Sequence, residues 1–278
     1  MNKKLINYFQ LFLTIVLVVF IISKAGDFLE RVDWQAVLNS WPFILISAAL
    51  FVCGYIILAN HWLAVCRIIE PKASSKQTLA FFASQPYKYL PTSIFTFSSR
   101  ATFAAKFGLG IKQSTQAQVI ENFNLISSAI VSGGLLLLFR FNFWYGVVAL
   151  AIITIACIVI WHQRSVKIPF IKYNLDLQKW LKSLSIVTLG WLIIGFGFFV
   201  MTVGIEGRFE PILAVAASDL ATGLGILAVF APGGIGVREL VFHYLSFASG
   251  TILIWRLTTF MVDIVIGIWA GWTISRRQ

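Results

Sequence analysis

Long apolar segments separated by short clusters of basic residues form the main pattern of this chain. Four segments contain no acidic or basic residue other than histidine: Leu5 to Ser23, Trp41 to Cys66, Asn142 to Gln163 and Ser183 to Ile205. A helix that crosses the hydrocarbon core of a bilayer needs about 20 predominantly apolar residues. The pattern therefore predicts that each of the four segments is a spanning helix.

Two further segments of spanning length contain one acidic residue each. Ser114 to Phe139 contains Glu121, and Leu257 to Ser275 contains Asp263. An ionisable side chain inside a spanning helix usually has a partner or a functional role. The sequence thus predicts about six spanning helices.

Proline and glycine interrupt two other apolar segments. The first runs from 77 to 105 and contains Pro86 and Pro91, and the second runs from 211 to 249 and contains Pro232 within a glycine cluster. Proline does not fit inside a continuous helix, because it lacks the N–H donor and clashes with the preceding turn. Each segment is predicted to form a re-entrant helical hairpin, although two full spans per segment remain compatible with the pattern.

The basic residues set the predicted orientation, because cytoplasmic loops of membrane proteins are rich in lysine and arginine. Lys3 and Lys4, the bases between Arg164 and Lys182, and the final arginines all belong on the cytoplasmic side. Both termini are therefore predicted to be cytoplasmic. The first hairpin must then begin and end at the cytoplasmic side and the second at the outer side, as in an inverted-topology repeat.

The predicted fold class is all-α, with a single transmembrane domain over residues 1–278 and two oppositely oriented hairpins. Its parts are an anchor helix and outer loop at 1–40, a first repeat at 41–141 with its hairpin at 77–105, a linking helix and basic cytoplasmic loop at 142–182, and a second repeat at 183–278 with its hairpin at 211–249. The N-terminal segment is charged like a signal peptide. Its apolar run exceeds the usual 7 to 15 or so residues, so a retained anchor is expected.

Composition supports a membrane protein and argues against several functions. Hydrophobic residues make up 59% of the chain and charged residues 12%, whereas a soluble domain has about 25% charged residues. The net charge of +11 is spread over short loops, so no nucleic-acid partner is predicted. The chain has neither a P-loop nor an HExxH motif, so nucleotide hydrolysis, a metal and other cofactors are not predicted.

The segment from Pro232 to Glu239 is the strongest candidate for binding an anion. Its three glycines are Gly233, Gly234 and Gly236. They leave backbone N–H groups accessible just before a helix, and a helix N-terminus favours negative charge. Arg238 can add a charge and bidentate hydrogen bonds to a phosphate. Alternatively, Arg238 neutralises a buried carboxylate, either Asp219 or Asp263.

The first hairpin and the helix after it offer a second polar set. The candidates for binding a headgroup are Pro91, Ser93 and Arg100. Polar residues are costly against lipid, so a lined cavity is expected there. Two points remain open: Lys88 lines this cavity or extends to the cytoplasmic surface, and Glu121 is a proton or cation site or the partner of Arg100. The expected supporting charges are Lys88, Glu121, Asp219, Glu239 and Asp263.

The residues from Pro232 to Glu239 resemble the late signature, close to PGGxGxRE, of the lysylphosphatidylglycerol synthase transmembrane family, a group of flippase-like membrane proteins. The earlier signature of that family, a proline followed by a polar stretch and an arginine, is similar to Lys88 through Arg100, where Thr92 stands in place of the usual glycine. The segment from His61 to Arg67 also looks like the aromatic and basic end of an early helix in this family. The resemblance extends over nearly the whole chain.

This resemblance implies a transporter rather than an enzyme. Relatives carry aminoacylated phosphatidylglycerol across the membrane, and others are associated with polyprenyl-linked sugars. The large soluble synthase domain of some relatives has no counterpart in these 278 residues, so synthase activity is not expected. The expectation is a lipid flippase or scramblase of the cytoplasmic (inner) membrane, with a phospholipid or polyprenyl-linked lipid as its partner.

Two other functions fit the same residues. One is a membrane-embedded transferase that acts on a polyprenyl phosphate, with one of the supporting carboxylates as the general base. The other is a non-catalytic membrane partner of a glycosyltransferase or synthase, for which the bases between Arg164 and Lys182 would be the docking surface. A homo-oligomer is compatible with each of these functions.

Overall fold

The computed structural model describes residue 30 and residues 32–90, 94–162, 165–167, 174–228 and 231–276. The helices in these ranges are α1 (Trp34–Asn39), α2 (Trp41–Ile69), α3 (Gln77–Ser84), α4 (Ile94–Ala105), α5 (Ile111–Phe141), α6 (Phe143–His162), α7 (Leu177–Glu206), α8 (Pro211–Leu227), α9 (Val237–Tyr244) and α10 (Ser249–Ser275). Two 3-10 turns, Gln85–Tyr89 and Pro232–Gly234, follow α3 and precede α9. A short antiparallel pair, β1 (Ser165–Lys167) and β2 (Asn174–Asp176), precedes α7.

Five of the helices are long and apolar enough to cross a membrane. They are α2, α5, α6, α7 and α10, with 29, 31, 20, 30 and 27 residues. The chain is therefore an all-α polytopic membrane protein, which confirms the predicted fold class. The sixth predicted helix, Leu5 to Ser23, lies outside the described residues.

The α7 helix begins earlier than its apolar pattern predicts, at Leu177 rather than Ser183. Asp176 caps it, because its carboxylate accepts hydrogen bonds from the backbone N–H groups of Gln178 and Lys179. These bonds hold the pKa of Asp176 below its ordinary value, and the bond from the N–H of Lys179 has the largest effect. The residues from Leu177 to Lys182, which were predicted to end the basic loop, therefore belong to α7.

The α10 helix also begins earlier than predicted, at Ser249 rather than Leu257. Arg256 lies inside this helix, where its Nε donates to Glu239 at 2.7 Å and its guanidinium donates to the carbonyl oxygen of Gly233 at 3.0 Å. Because these partners satisfy the guanidinium, an apolar helix can contain a base. The residues between the predicted end of the second hairpin at 249 and Leu257 therefore belong to α10.

Each hairpin has two helical arms joined through a 3-10 turn, as the proline and glycine positions predict. In the first hairpin α3 and α4 have 8 and 12 residues, and in the second α8 and α9 have 17 and 8. At about 1.5 Å per residue, α3 and α9 are about 12 Å long and α4 about 18 Å. The hydrocarbon core is about 30 Å thick, so these arms are too short to cross it alone and the re-entrant arrangement is favoured.

The first long helices of the two repeats, α2 and α7, pack against each other in opposite directions. The hydroxyl of Ser47 donates to the carbonyl oxygen of Gly197 at 2.7 Å, and Gly54, farther along α2, faces Gly190. Residue numbers therefore rise along α2 as they fall along α7. Small residues let two backbones approach closely, as is common between membrane helices.

The first hairpin packs along the last helix of the second repeat. Pro86 approaches Gly267 on α10, and the hydroxyl of Tyr89 donates to Asp263 at 2.6 Å. The hairpin thus runs antiparallel to α10. This contact joins the two repeats across their interface.

The second hairpin makes the matching contact with the last helix of the first repeat. The hydroxyl of Ser132 on α5 donates to Asp219 on α8 at 2.5 Å, and Gly223 faces Ala129. The α8 arm is therefore antiparallel to α5. Matched contacts of this kind, together with the antiparallel α2 and α7, place the two repeats in opposite orientations, as an inverted repeat requires.

Replacing Gly54 by alanine is expected to loosen the contact between α2 and α7. The added methyl would overlap the Ile194 side chain and lie 3.1 Å from the carbonyl oxygen of Gly190, and overpacking costs about 1–3 kcal/mol. Thermal unfolding in detergent should give a lower Tm for Gly54→Ala. Gly134→Ala is the control, because a methyl there would meet nothing within 4 Å; equal Tm values for the two variants would contradict a tight contact.

Candidate functional site

A cavity of about 390 Å³ lies where the turns of the two hairpins approach each other. Long helices from both repeats form its walls with residues near the middle of each helix. These include Tyr55 on α2, Ile126 on α5, Trp191 on α7 and Thr259 on α10. The middle of a spanning helix lies near the centre of the bilayer, so the cavity is close to the membrane midplane.

Three basic residues that the sequence singled out line this one cavity. Lys88 comes from the first 3-10 turn, Arg100 from α4 and Arg238 from the first turn of α9. Gly233 and Gly234 of the second turn also line it. Among the residues that the structure describes, no aspartate or glutamate contributes to the lining. The fold thus brings together cationic groups that are far apart in the sequence.

Arg238 forms no ion pair with any residue of the described ranges. Its side chain lies in a gap that two glycines leave open: a methyl added at Gly225 or Gly234 would be 2.6 or 2.8 Å from its Nε. That Nε is buried and has no hydrogen-bond partner. A guanidinium without a counter-ion is costly inside a membrane, so Arg238 is the group at this cavity that most needs an anion.

The alternative in which Arg238 neutralises Asp219 or Asp263 is wrong. Asp219 faces α5 and accepts a hydrogen bond from Ser132 at 2.5 Å. Asp263 faces the first hairpin and forms an ion pair with Lys88 at 2.7 Å. Both carboxylates therefore have partners in elements of the first repeat, and neither forms an ion pair with the arginine.

Lys88 does not extend to the membrane surface. Its Nζ is paired with Asp263 and also donates to the hydroxyl of Tyr55 at 2.6 Å. The same carboxylate oxygen of Asp263 accepts a hydrogen bond from Tyr89. Because 22% of the Lys88 side chain remains exposed while that of Asp263 is fully buried, the ammonium group lies between a fixed carboxylate and the cavity.

Arg100 and Glu121 form a buried ion pair, which confirms the alternative that made Glu121 the partner of this arginine. The Nε of Arg100 also donates to the hydroxyl of Ser84 at 2.8 Å, and the guanidinium lies over the ring of Phe81, 4.8 Å from its centroid. Side chains from α3 and α5 therefore fix Arg100 on the cavity wall. Most of its charge is already compensated.

Two of the three glycines in the turn use their N–H groups within the protein, which leaves fewer free N–H groups for an anion than the sequence predicts. The N–H of Gly236 donates to Glu239 at 2.6 Å, and the N–H groups of Gly234 and Ile235 donate to carbonyl oxygens within the turn. Glu239 therefore takes the anion position at the N-terminus of α9. In this arrangement the turn shapes the space around Arg238, and the arginine side chain is the group available to a ligand.

Gly236 does not line the cavity, and some lining residues were missed. Pro91 and Ser93 lie outside the described residues. Tyr55, Trp191 and Trp255 line the cavity, yet no pattern singled them out. An aromatic residue in an apolar helix looks the same in the sequence whether it faces a cavity or lipid.

The arrangement suits a ligand that is anionic at one end and apolar elsewhere. Three cations face the cavity, and two of them have a carboxylate partner, which leaves a net charge of 3 − 2 = +1. The remaining walls are largely aliphatic and aromatic. A charged group beside Arg238 would gain hydrogen bonds to an ionised donor, which are stronger than neutral ones.

Comparison with models of known protein families, with curated proteins and with solved structures found no match to this chain.

Proposed function

We propose that this protein moves the anionic headgroup of a lipid, a phospholipid or a polyprenyl-phosphate-linked lipid, across the cytoplasmic (inner) membrane, with both of its termini in the cytoplasm. The observation that carries the proposal is Arg238, a guanidinium that has no carboxylate partner among the described residues and lies in a cavity near the middle of the membrane. In the proposed cycle the phosphate binds at Arg238 while the lipid chains remain in the bilayer.

The position of the cavity supports transport. In transporters built from inverted repeats, the substrate site lies at the midplane between the repeats, and their movement exposes it to either side. Here α2 and α7 contribute walls from opposite repeats, and the two hairpin turns close the space between them. A volume of about 390 Å³ falls within the usual range of about 300–1,000 Å³ for ligand pockets.

The charges near the cavity favour transport over group transfer. A transferase needs a general base within hydrogen-bond reach of the proton that it removes. Within the described residues, no carboxylate lines the cavity, and Glu121 and Asp263 are each held by a cation. A protein that only anchors an enzyme in the membrane would not need a buried arginine such as Arg238, which has no counter-ion among the described residues.

The test is transport of labelled lipid in proteoliposomes. Wild-type protein should move phosphatidylglycerol or polyprenyl phosphate between leaflets and should leave zwitterionic phosphatidylcholine at the rate of protein-free vesicles. Arg238→Gln should slow transport of the anionic lipid by about tenfold or more, because a hydrogen bond to a charged group contributes about 1.5–3 kcal/mol.

Lys72→Gln is the matched control, because it removes one positive charge from an exposed position outside the cavity. It should transport at the wild-type rate. Equal rates for Arg238→Gln and Lys72→Gln, with both variants folded, would contradict a headgroup site at Arg238. Movement of phosphatidylcholine as fast as the anionic lipids would contradict selection of an anion.

A further inference from the structure

Asp219 is a buried carboxyl group that the headgroup site does not use. It lies on α8 and is 1% exposed, and one oxygen accepts the hydrogen bond from Ser132 on α5. Its other oxygen and the hydroxyl of the neighbouring Ser218 are buried, and neither has a hydrogen-bond partner among the described residues. A polar group with an open position is therefore enclosed where the second hairpin meets the first repeat.

No cation of the described ranges pairs with this carboxyl group. The elements packed against α8 are α5, α7, α9 and the second 3-10 turn. Their charged and titratable residues are Lys112, Glu121 and Arg140 on α5, Lys179, Lys182 and Glu206 on α7, and Arg238, Glu239, His243 and Tyr244 on α9. Glu121 is paired with Arg100, and Arg238 lines the cavity. The charges of α7 lie at its two ends, so Asp219 has no counter-ion in the part of the chain that the structure describes.

The contact between α5 and α8 is close on both sides of Asp219. A methyl added at Gly133 would lie 3.0 Å from the carbonyl oxygen of Ala216, and one added at Gly223 would lie 3.1 Å from Cβ of Ala129. An unpaired carboxylate is very costly in such surroundings, whereas the neutral acid is tolerated. Loss of the proton therefore requires α8 to separate from α5 so that water reaches the carboxylate.

We propose that Asp219 is a proton-binding site that couples lipid movement to the proton gradient, an inference that rests on the function proposed above. The carboxylate takes one proton from water when the contact between α5 and α8 is open to one side of the membrane, which forms the O–H bond. The neutral acid then fits the closed contact beside Ser132. The same proton leaves to water when the contact opens to the other side.

The coupling follows from the position of Asp219 on α8. One turn farther along the same arm, Thr222 lines the headgroup cavity. A movement of α8 that hydrates the carboxyl group therefore also moves a wall of the cavity. One proton crosses the membrane with each anionic headgroup, and the proton gradient supplies the free energy.

The experiment uses the anionic lipid, phosphatidylglycerol or polyprenyl phosphate, that the wild-type protein moves in phosphatidylcholine vesicles. A trace of labelled lipid is followed with the membrane voltage clamped by potassium and valinomycin. With one coupled proton, a gradient of one pH unit supports a leaflet ratio of about ten, because one unit is equivalent to 1.36 kcal/mol. Asp219→Asn keeps the shape of the neutral acid, so it should exchange lipid in both directions but hold the ratio at about one.

Two controls separate coupling from folding. Asp33→Asn removes an exposed carboxylate at the start of α1 and should keep the full ratio. Asp219→Glu retains an ionisable group and should keep a gradient response even if its rate falls. In infrared difference spectra between alkaline and acidic pH, wild type should display the band of a protonated carboxyl group, and Asp219→Asn should lack it.

The outcomes distinguish the two proposals. If wild type moves the anionic lipid but its leaflet ratio ignores the pH gradient, or if Asp219→Asn keeps the wild-type ratio, the proton site is wrong and the transport function stands. If the Asp219 band does not change with pH, the group is a structural acid and the coupling is likewise wrong. If wild type moves none of the anionic lipids, the transport function itself fails and the coupling falls with it.

Discussion

Replacing Arg100 by methionine is expected to destabilise the protein by about 3–5 kcal/mol, the usual cost of removing one partner from a buried ion pair. Arg100 is 6% exposed and its partner Glu121 is completely buried. Without the arginine, the carboxylate loses its counter-ion, and its second oxygen already lacks a hydrogen-bond partner. Equilibrium unfolding in mixed micelles with increasing denaturing detergent measures the loss.

The double variant Arg100→Met with Glu121→Leu should recover most of that stability. Replacement of a whole buried pair by apolar residues of similar size is often neutral or stabilising. The net charge of the cavity stays at +1 in the double variant, because the arginine and its carboxylate partner are removed together. A double variant as unstable as Arg100→Met would mean that the packing around Ser84 and Phe81, rather than the buried charge, accounts for the loss.

Gly234→Ala is expected to weaken binding of the anionic headgroup by about tenfold or more while the fold is retained. The added methyl would lie 2.8 Å from Nε of Arg238 and 2.9 Å from Cα of Gly225. Because the Gly225 atoms belong to the backbone of α8, both the guanidinium and the turn must shift to make room for the methyl. Loss of even one hydrogen bond from an ionised donor costs about 1.5–3 kcal/mol. Calorimetric titration with short-chain phosphatidylglycerol measures the change in Kd.

Gly236→Ala is the matched control for this effect. Both glycines have positive φ, 70° at Gly234 and 88° at Gly236, so alanine introduces backbone strain at either position. A methyl at Gly236 would meet nothing within 4 Å. Gly236→Ala should therefore lose stability but keep the wild-type Kd, and an equal loss of affinity in both variants would show that strain in the turn, not the position of Arg238, controls binding.

The long helices could be predicted because length and hydrophobicity alone define them. A run of about 20 apolar residues has few alternatives to crossing the membrane. The helix ends were harder, because a base such as Arg256 interrupts the apolar pattern without interrupting the helix. Its acceptors, Glu239 and the carbonyl oxygen of Gly233, are apparent only once α9 and α10 lie side by side.

The cationic character of the site could also be predicted, since bases in apolar segments are conspicuous. Which carboxylate each base contacts could not be predicted. Lys88 is paired with Asp263, 175 positions farther along the chain, because the first hairpin packs on the last helix of the other repeat. For Arg238, a carboxylate partner of the same kind was the predicted alternative to a bound anion. The structure instead turns Asp219 toward Ser132, since α8 packs against α5 through its glycine and alanine residues.

The hydrogen bonds of the glycine turn could be predicted only in part, for a related reason. The pattern of three glycines before a helix is typical of backbone that binds anions. It does not reveal that Glu239 reaches back to the N–H of Gly236. A glutamate three residues into a helix is a known capping residue, so this bond was the part of the pattern that could have been recognised.

The two arms of each hairpin are attached to different parts of the molecule. In each hairpin the second arm is tied by a salt bridge to the helix that follows it, Arg100 to Glu121 and Glu239 to Arg256, whereas the first arm also lies along the last helix of the opposite repeat. Each hairpin is thus attached to both repeats. If one repeat tilts against the other, each hairpin is distorted at its turn, and both turns border the cavity. Movement between the repeats would therefore change the shape of the cavity at the place where the headgroup would bind.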